Sequence, residues 1–442
     1  MEPELTRIAE PTKGQAKPRL TSLIHLINAE MLKACHAELK GNKAVGVDKV
    51  TKEEYGQNLD ANIEDLLGRM KRWAYRPLPV RRTYIPKAGT DKMRPLGILA
   101  YEDKLVQMAV SKILNGIYEE EFLDNSFGFR PGRGQHDALK LLDWLIANKP
   151  VNYIVDADIK GFFDNVDHDW VMKFLGHRIA DTNLLRLIKR FLIAGIMEDG
   201  QLQKSEVGVP QGGNISPILS NIYLHYALDL WFEKVVRKRC KGAAYIVRFA
   251  DDFACCFEYK EDAEAFLGLL TERLAEFKLE VAVEKTKILA FGRRAHAEAR
   301  REGKTTHGTF DFLGFTHYCS KSRHGRFRAK RQTSKKKLRA KLAEFTEWIK
   351  KNRHMPMHEI MKMVESKLRG HYLYYGITDN YQAMNRYKRA VIRLLFKWLN
   401  LRSQKRSYTW EQFNKIIERF KLPNPKVMIT IWELRLPSLY IP

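Results

Sequence analysis

Three aspartates stand where the chain gives little other reason for charge. Asp158 follows the apolar run Val151–Ala157, and Asp251 and Asp252 lie between the runs Tyr245–Phe249 and Phe253–Phe257. Runs rich in β-branched and aromatic residues read as strands, and two of them joined by a short polar pair read as a hairpin. If the single strand and the hairpin are neighbours in one sheet, their carboxylates converge on one edge. Carboxylates held on rigid elements are ligands for Mg²⁺. Two such ions stabilise both the attacking and the leaving oxygen when a hydroxyl displaces a phosphoryl group in line. An Asp-Asp pair in a turn is, by itself, usually only a solvated turn. The apolar strands around it, and a third aspartate ending another strand, make the case for chemistry.

The surrounding elements must position these residues. From Leu20 to about Trp73, apolar residues recur at helical spacing, interrupted by the loop Gly41–Asp48. A β-type stretch, Val80–Pro86, leads through the turn 87–92 into Arg94–Ile98, and a helix is expected over Glu102–Tyr118. Asp167 or Asp169 can cap a helix running to about Leu175. A helix over Glu261–Phe277 and a strand near Glu280–Val283 complete an α+β core. Residues 333–400 are helical in period.

The chain has 442 residues, 45% of them apolar, enough for two or three domains with a sizeable core. Its net charge of +25 is segregated. Residues 1–291 hold 42 Lys+Arg against 41 Asp+Glu, whereas residues 292–442 hold 35 against 11, a net of +24. Charge gathered in this way repels itself, and a polyphosphate partner offsets it with release of counterions. Between Lys321 and Lys341 eleven basic residues occur without one acidic residue, and helical spacing spreads them around most of a helix. A solvated helix interleaves Glu for i,i+4 pairing, and this segment does not. Gly370–Gly376 and Arg402–Trp410 mix aromatic and basic residues, as surfaces that stack RNA bases do, although most such aromatics are core. The five cysteines show no paired zinc spacing and fit a reducing, cytoplasmic setting. No apolar run is long enough to span a membrane.

Six segments in fixed order resemble the group II intron reverse transcriptase/maturase family. They are Ser126–Arg133 (SFGFRPGR), Asp158–Asp164 (DIKGFFD), Pro210–Pro217 (PQGGNISP), Phe249–Asp252 (FADD), Glu284–Lys287 (EKTK) and Phe312–Phe315 (FLGF). The resemblance implies a right-hand polymerase of α+β class: fingers and a palm with an antiparallel sheet, then an all-α thumb/maturase domain. Residues 1–20 read as a flexible tail; the resemblance makes 21–325 fingers and palm and 326–442 the RNA-binding thumb and maturase region. It makes Asp158, Asp251 and Asp252 the catalytic set holding two Mg²⁺ ions, with the carbonyl of Ile159 as a further ligand. Phe163 becomes the gate against a ribose 2′-hydroxyl. Gln211 lies near the incoming nucleotide and template, and Lys87 and Arg94, with Arg81 nearby, neutralise the triphosphate. The bland reading of these residues is a core Phe and solvated cations. Phe249 departs from the tyrosine common in the family, for which fine tuning of nucleotide contact is expected.

Arg328, Lys330, Arg331, Lys335, Lys336, Lys337 and Arg339 are the candidate RNA-binding residues. The partners implied are intron RNA, an RNA template, a DNA primer and deoxynucleoside triphosphates, with no membrane; the setting is the bacterial cytoplasm, at the nucleoid when acting on DNA. Past residue 320 there is no cysteine, and Pro356 separates His354 from His358, so no metal-dependent endonuclease site is expected. The alternatives are an RNA-binding splicing maturase without polymerase activity and a host-adopted reverse transcriptase in defence or repair.

Overall fold

The computed structural model describes residues 18–86, 93–203, 207–303, 308–402 and 407–433. Helices over Ala29–Glu38, Lys52–Gln57 and Leu59–Lys71 flank the loop predicted at 41–48. Most of the expected tail (1–17) lies outside the described residues. Leu20 itself is anchored, its N–H donating to the Arg178 carbonyl at 2.8 Å and its own carbonyl accepting from Ala180 at 2.7 Å.

The expected β-type stretch is strand β1 (Val80–Pro86), which pairs antiparallel with β2 (Met93–Ile98), and a small sheet of order β2-β1-β4-β5 is completed by β4 (Ile196–Glu198) and β5 (Gln201–Gln203). Helix α1 (Tyr101–Tyr118) matches its prediction, with Leu105, Val106, Ala109, Val110, Ile113 and Leu114 fully buried. Apolar on most sides, it is the central helix of the first core. Asp167 caps the helix His168–Gly176 by accepting from the Trp170 N–H at 3.0 Å.

The central sheet is antiparallel, of order β6-β7-β3-β8, from β3 (Tyr153–Ala157), β6 (Ala244–Phe249), β7 (Asp252–Phe257) and β8 (Lys287–Ala290). Its side chains alternate between two cores. Val155, Ala157, Ile246, Phe253 and Cys255 face helices α3 (Ser216–Leu224) and α4 (Lys260–Glu276). Ile154, Tyr245, Val247, Ala254 and Cys256 face helix α2 (Gln135–Asn148) and the C-terminal helices. Coverage on both faces explains why these strands read as continuous apolar runs.

Two expectations are corrected. Glu280–Val283 is not a strand: only Val281 bridges to Ile159, Val283 is exposed, and the edge strand is β8, just beyond it. Residues 321–333 are not helical either. Strands β9 (Phe310–Phe312), β10 (Phe315–Lys321) and β11 (Phe327–Thr333) form a separate sheet, with β10 and β11 paired from Phe315↔Thr333 to Lys321↔Phe327. A division at 325/326 would split that hairpin, and the helical region begins instead at Lys335, after the Ser334 cap.

Helices α5 (Lys335–Asn352), α6 (Met357–Tyr375) and α7 (Tyr381–Leu399) pack through Phe345, Ile349, Ile360, Val364, Leu368, Met384, Val391 and Leu395. In Gly370–Gly376 the core reading holds for His371, Tyr372 and Tyr375, which are buried. Trp410 stacks on Phe396 at 3.7 Å, and residues 403–406 of that second aromatic segment lie outside the described residues. Among the described residues no helix is long and apolar enough to cross a membrane.

Candidate active site

Register brings the three aspartates together. Ala157 pairs with Phe253, so Asp158, one residue further along, arrives opposite the turn carrying Asp251 and Asp252. In that turn Phe249 pairs with Asp252 and Ala250 has φ +57°. A non-glycine residue held there costs about 1–3 kcal/mol and persists only where its surroundings fix it. Gly128 supplies part of that fixing: a Cβ on it would lie 2.2 Å from the Ala250 nitrogen.

Asp156, Asp158 and Asp252 line a 540 Å³ cavity with Ile85, Arg94, Asp311, Lys285, Leu313, Lys336 and Lys337. Desolvation, reinforced by Asp251, Asp158 and Asp156 and opposed by Lys337, pushes the carboxyl of the exposed residue Asp252 up to about 6. Asp251 is also raised, first by desolvation and then by Asp158, with Arg94 and Arg248 opposing. Such crowding of like charge in a cleft is a mark of a functional site. Lys285 is ion-paired with Asp158, and Lys287 lies 3.7 Å from Asp156. Among the described residues no three carboxylate, histidine or cysteine side chains close around one point as a preformed metal cage. The pairing of Ile159 with Val281 uses the Asp158 carbonyl and the Lys160 N–H, and leaves the Ile159 carbonyl without a protein donor among the described residues.

A second cavity, of 270 Å³, is lined by Arg82, Leu96, Gly97, Phe163, Val209, Pro210 and Gln211. Phe162 is the buried core residue of its pair, and Phe163 is half-buried at this cavity. Gly97 donates its N–H to the Gln211 carbonyl at 2.6 Å, and a Cβ there would meet Val80 Cγ1 at 2.4 Å. The same Cβ would lie 3.3 Å from Pro210 Cβ, so glycine keeps the β1-β2 hairpin close to the Pro210-Gln211 turn.

Of the residues predicted to neutralise the triphosphate, Arg94 lines the aspartate cavity and Lys87 lies outside the described residues. Arg81 is committed elsewhere: its Nε and Nη2 donate to the Val45 carbonyl at 3.0 and 2.7 Å. The residue facing the Phe163 cavity is its neighbour Arg82, as strand alternation requires. Sequence reasoning also passed over Asp156, which the period-2 rule places on the same face as Asp158, and Asp311, for which no local pattern exists.

The basic candidates divide. Arg331 is withdrawn as an RNA-binding residue, because it is fully buried and ion-paired with Asp143. Arg328 bonds Asp379 at 2.9 Å and lies 4.7 Å over the Trp432 ring. Lys330 is half-buried on β11 opposite Tyr318. Lys335, Lys336 and Arg339 line an open 770 Å³ groove with Lys287 and Gln332, and Lys336 and Lys337 also line the aspartate cavity. Replacing Lys335, Lys336 and Lys337 with Ala is therefore expected to weaken RNA binding across sequences. It should flatten the slope of log K against log salt by ~0.7–0.9 for each phosphate that is no longer neutralised. An unchanged slope, measured by filter binding over a salt series, would make these lysines merely solvated.

Strand, hairpin, glycine-docked fingers and crowded carboxylates together define a polymerase palm. Residues 85–317 match the family model "Reverse transcriptase (RNA-dependent DNA polymerase)", and the chain belongs to that family. Several of the proteins it is similar to are named as encoded by or lying in introns. The chain is 38% identical over 222 residues to the group II intron-encoded protein LtrA of Lactococcus lactis subsp. cremoris, covering 50% of this chain and 37% of LtrA. It is 31% identical over 340 residues to protein YkfC of Escherichia coli K12, covering 70% of this chain and 84% of YkfC. A 91 kDa protein in the cob intron of Schizosaccharomyces pombe is 35% identical over 211 residues, 48% of this chain and 26% of that protein.

Proposed function

We propose that this chain is an RNA-directed DNA polymerase that acts with a group II intron RNA and promotes its splicing and mobility. The observation that carries the reading is Asp158 and the Asp251-Asp252 turn meeting at one sheet edge, in a cavity that Arg94 and the α5 lysines also line. Oxygen donors on rigid strands, with the Ile159 carbonyl beside them, fit Mg²⁺; Asp158, Asp251 and Asp252 would hold two ions. Bound there, they would neutralise charge on the attacking 3′-oxygen and on the leaving pyrophosphate. Arg94 would balance the triphosphate, and Lys285 would give up its pairing with Asp158 when that carboxylate turns to a cation. Phe163 and Gln211 would form the floor under the incoming nucleotide. Lys335, Lys336, Lys337 and Arg339 would hold the template–primer or intron RNA, in a thumb/maturase region that we place after Ser334.

Primer extension on an RNA template with Mg²⁺ tests the reading; a protein inert on several templates while binding intron RNA tightly would leave the maturase alone. Phe163→Ala is expected to admit ribonucleotides at least ~10-fold more readily, equivalent to about 1.4 kcal/mol of steric discrimination removed. Competition between deoxy- and ribonucleotides measures this. Unchanged selectivity in a variant that still extends would return Phe163 to the core.

A further inference from the structure

The turn bearing Asp251 and Asp252 is braced from behind by a fully buried polar network. Arg248, in β6 three residues before Asp251, is 0% exposed, as are Asp229 and Asn221. Its Nε and Nη2 donate to Asp229 Oδ1 and Oδ2 at 2.7 and 2.5 Å. Its Nη1 donates both to Asn221 Oδ1 at 3.0 Å and to the carbonyl of Ala250 at 2.9 Å. Asn221 then donates Nδ2 to the Gly128 carbonyl at 2.7 Å, and Gly128 is the residue packed on the Ala250 nitrogen. Backbone bonds from Phe127 N–H to the Arg248 carbonyl and from Arg248 N–H to the Asn125 carbonyl, both 2.9 Å, close the frame.

Asp229 ends a π-helical segment, His225–Asp229, that continues α3. Such π-helical segments recur at functional sites. The guanidinium thus ties together α3, its π-helical extension, the 125–128 segment and the one left-handed residue of the hairpin. An apolar pair of similar volume often replaces a buried ion pair at little cost in stability, so fold stability alone does not account for this one. What an apolar pair cannot do is donate to the Ala250 carbonyl.

We infer that Arg248, Asp229 and Asn221 are positioning residues for the Asp251-Asp252 turn, setting how well its carboxylates accept a divalent cation. This rests on the reading of those aspartates as metal ligands. Outer-shell partners of this kind commonly change metal affinity or activity 10–100-fold when removed.

The test is the double variant Arg248→Met/Asp229→Leu, which removes both charges together, in the full-length protein. Binding of Mn²⁺ is followed by the loss of the free-ion electron paramagnetic resonance signal, with Asp251→Asn marking the relevant site. Single-nucleotide extension is measured in parallel against Mg²⁺ concentration. The expected result is a cooperatively melting protein with roughly 10–100-fold weaker Mn²⁺ binding at the Asp251-dependent site. Its extension rate falls similarly and recovers partly at high Mg²⁺, while the KM for nucleotide hardly moves. A folded double variant with wild-type Mn²⁺ affinity would overturn the inference, as would Mn²⁺ binding in the wild type that ignores Asp251→Asn. If the double variant fails to fold, Asn221→Ala decides by the same readouts, because it keeps the ion pair and cuts the tie to Gly128. Weaker Mn²⁺ binding in that variant supports the inference, and unchanged binding overturns it. A wild-type protein that binds Mn²⁺ through Asp251 but extends no primer would sink only the polymerase reading.

Discussion

Asp251→Asn is expected to lower primer extension by about 10³-fold or more, which at 1.36 kcal/mol per decade is ~4 kcal/mol of transition-state stabilisation. The amide keeps the size of the side chain and its place in the turn, so the hairpin registers Phe249↔Asp252 and Arg248↔Phe253 are retained. What disappears is a negative charge that desolvation and Asp158 already disfavour and that Arg94 and Arg248 partly offset. RNA affinity is expected to stay nearly constant, because the basic residues proposed to hold RNA, Lys335, Lys336, Lys337 and Arg339, lie on α5 and keep their charge. A variant extending within ~10-fold of wild type would remove Asp251 from the catalytic set. A parallel loss of RNA binding would point to misfolding, which the melting curve would reveal.

Arg331→Met is expected to destabilise the junction between the palm and the C-terminal helices by about 3–5 kcal/mol. The guanidinium has no exposed surface; it is ion-paired with Asp143 on α2 and lies 3.7 Å from Asp379, the residue two before α7. Burial already raises the Asp143 carboxyl, with Arg331 as the largest opposing influence. Removing the cation leaves that carboxylate buried and unpaired, whereas Asp379 keeps Arg328 at 2.9 Å. Adding Asp143→Leu should therefore return most of the stability. Urea unfolding of the two variants checks the sign and the size. A loss under ~1 kcal/mol for Arg331→Met would show that water reaches Asp143 without the arginine.

Much of the palm was legible because its information is local. Continuous β-branched and aromatic content marked β3, β6 and β7, and the Asp-Asp interruption marked the hairpin turn. The spacing of apolar residues marked α1 and α4 to within one residue at each end. The misreading at 321–333 has a definite cause. Phe327, Ala329, Arg331 and Thr333 alternate as a strand, but two of the intervening residues are basic and an inward position is itself an arginine. A dense charge run imitates a solvated face at any period, so the alternation was hidden. The edge strand was misplaced at Glu280–Val283 because the short β-branched, apolar run there is real, but the segment turns, with Thr286 Oγ1 donating to the Ala282 carbonyl at 2.9 Å.

The sequence by itself determined the family, the three aspartates, the Phe163 and Gln211 neighbourhood and the concentration of positive charge in the last third. Each is a property of residue type and short spacing, which the chain carries whatever its fold. Only the tertiary structure decided which charges are free to meet a ligand. Arg81 and Arg82 are adjacent, yet one is held on the Val45 carbonyl and the other lines the Phe163 cavity. Arg331 and Lys335 lie in one basic run, yet Arg331 answers to Asp143, 188 residues away. Arg248 reads as an ordinary strand residue until Asp229, Asn221 and the Ala250 carbonyl gather round it. A charge is functional or structural according to the partner that burial assigns it, and that partner is chosen by long-range packing, which leaves no mark in local sequence.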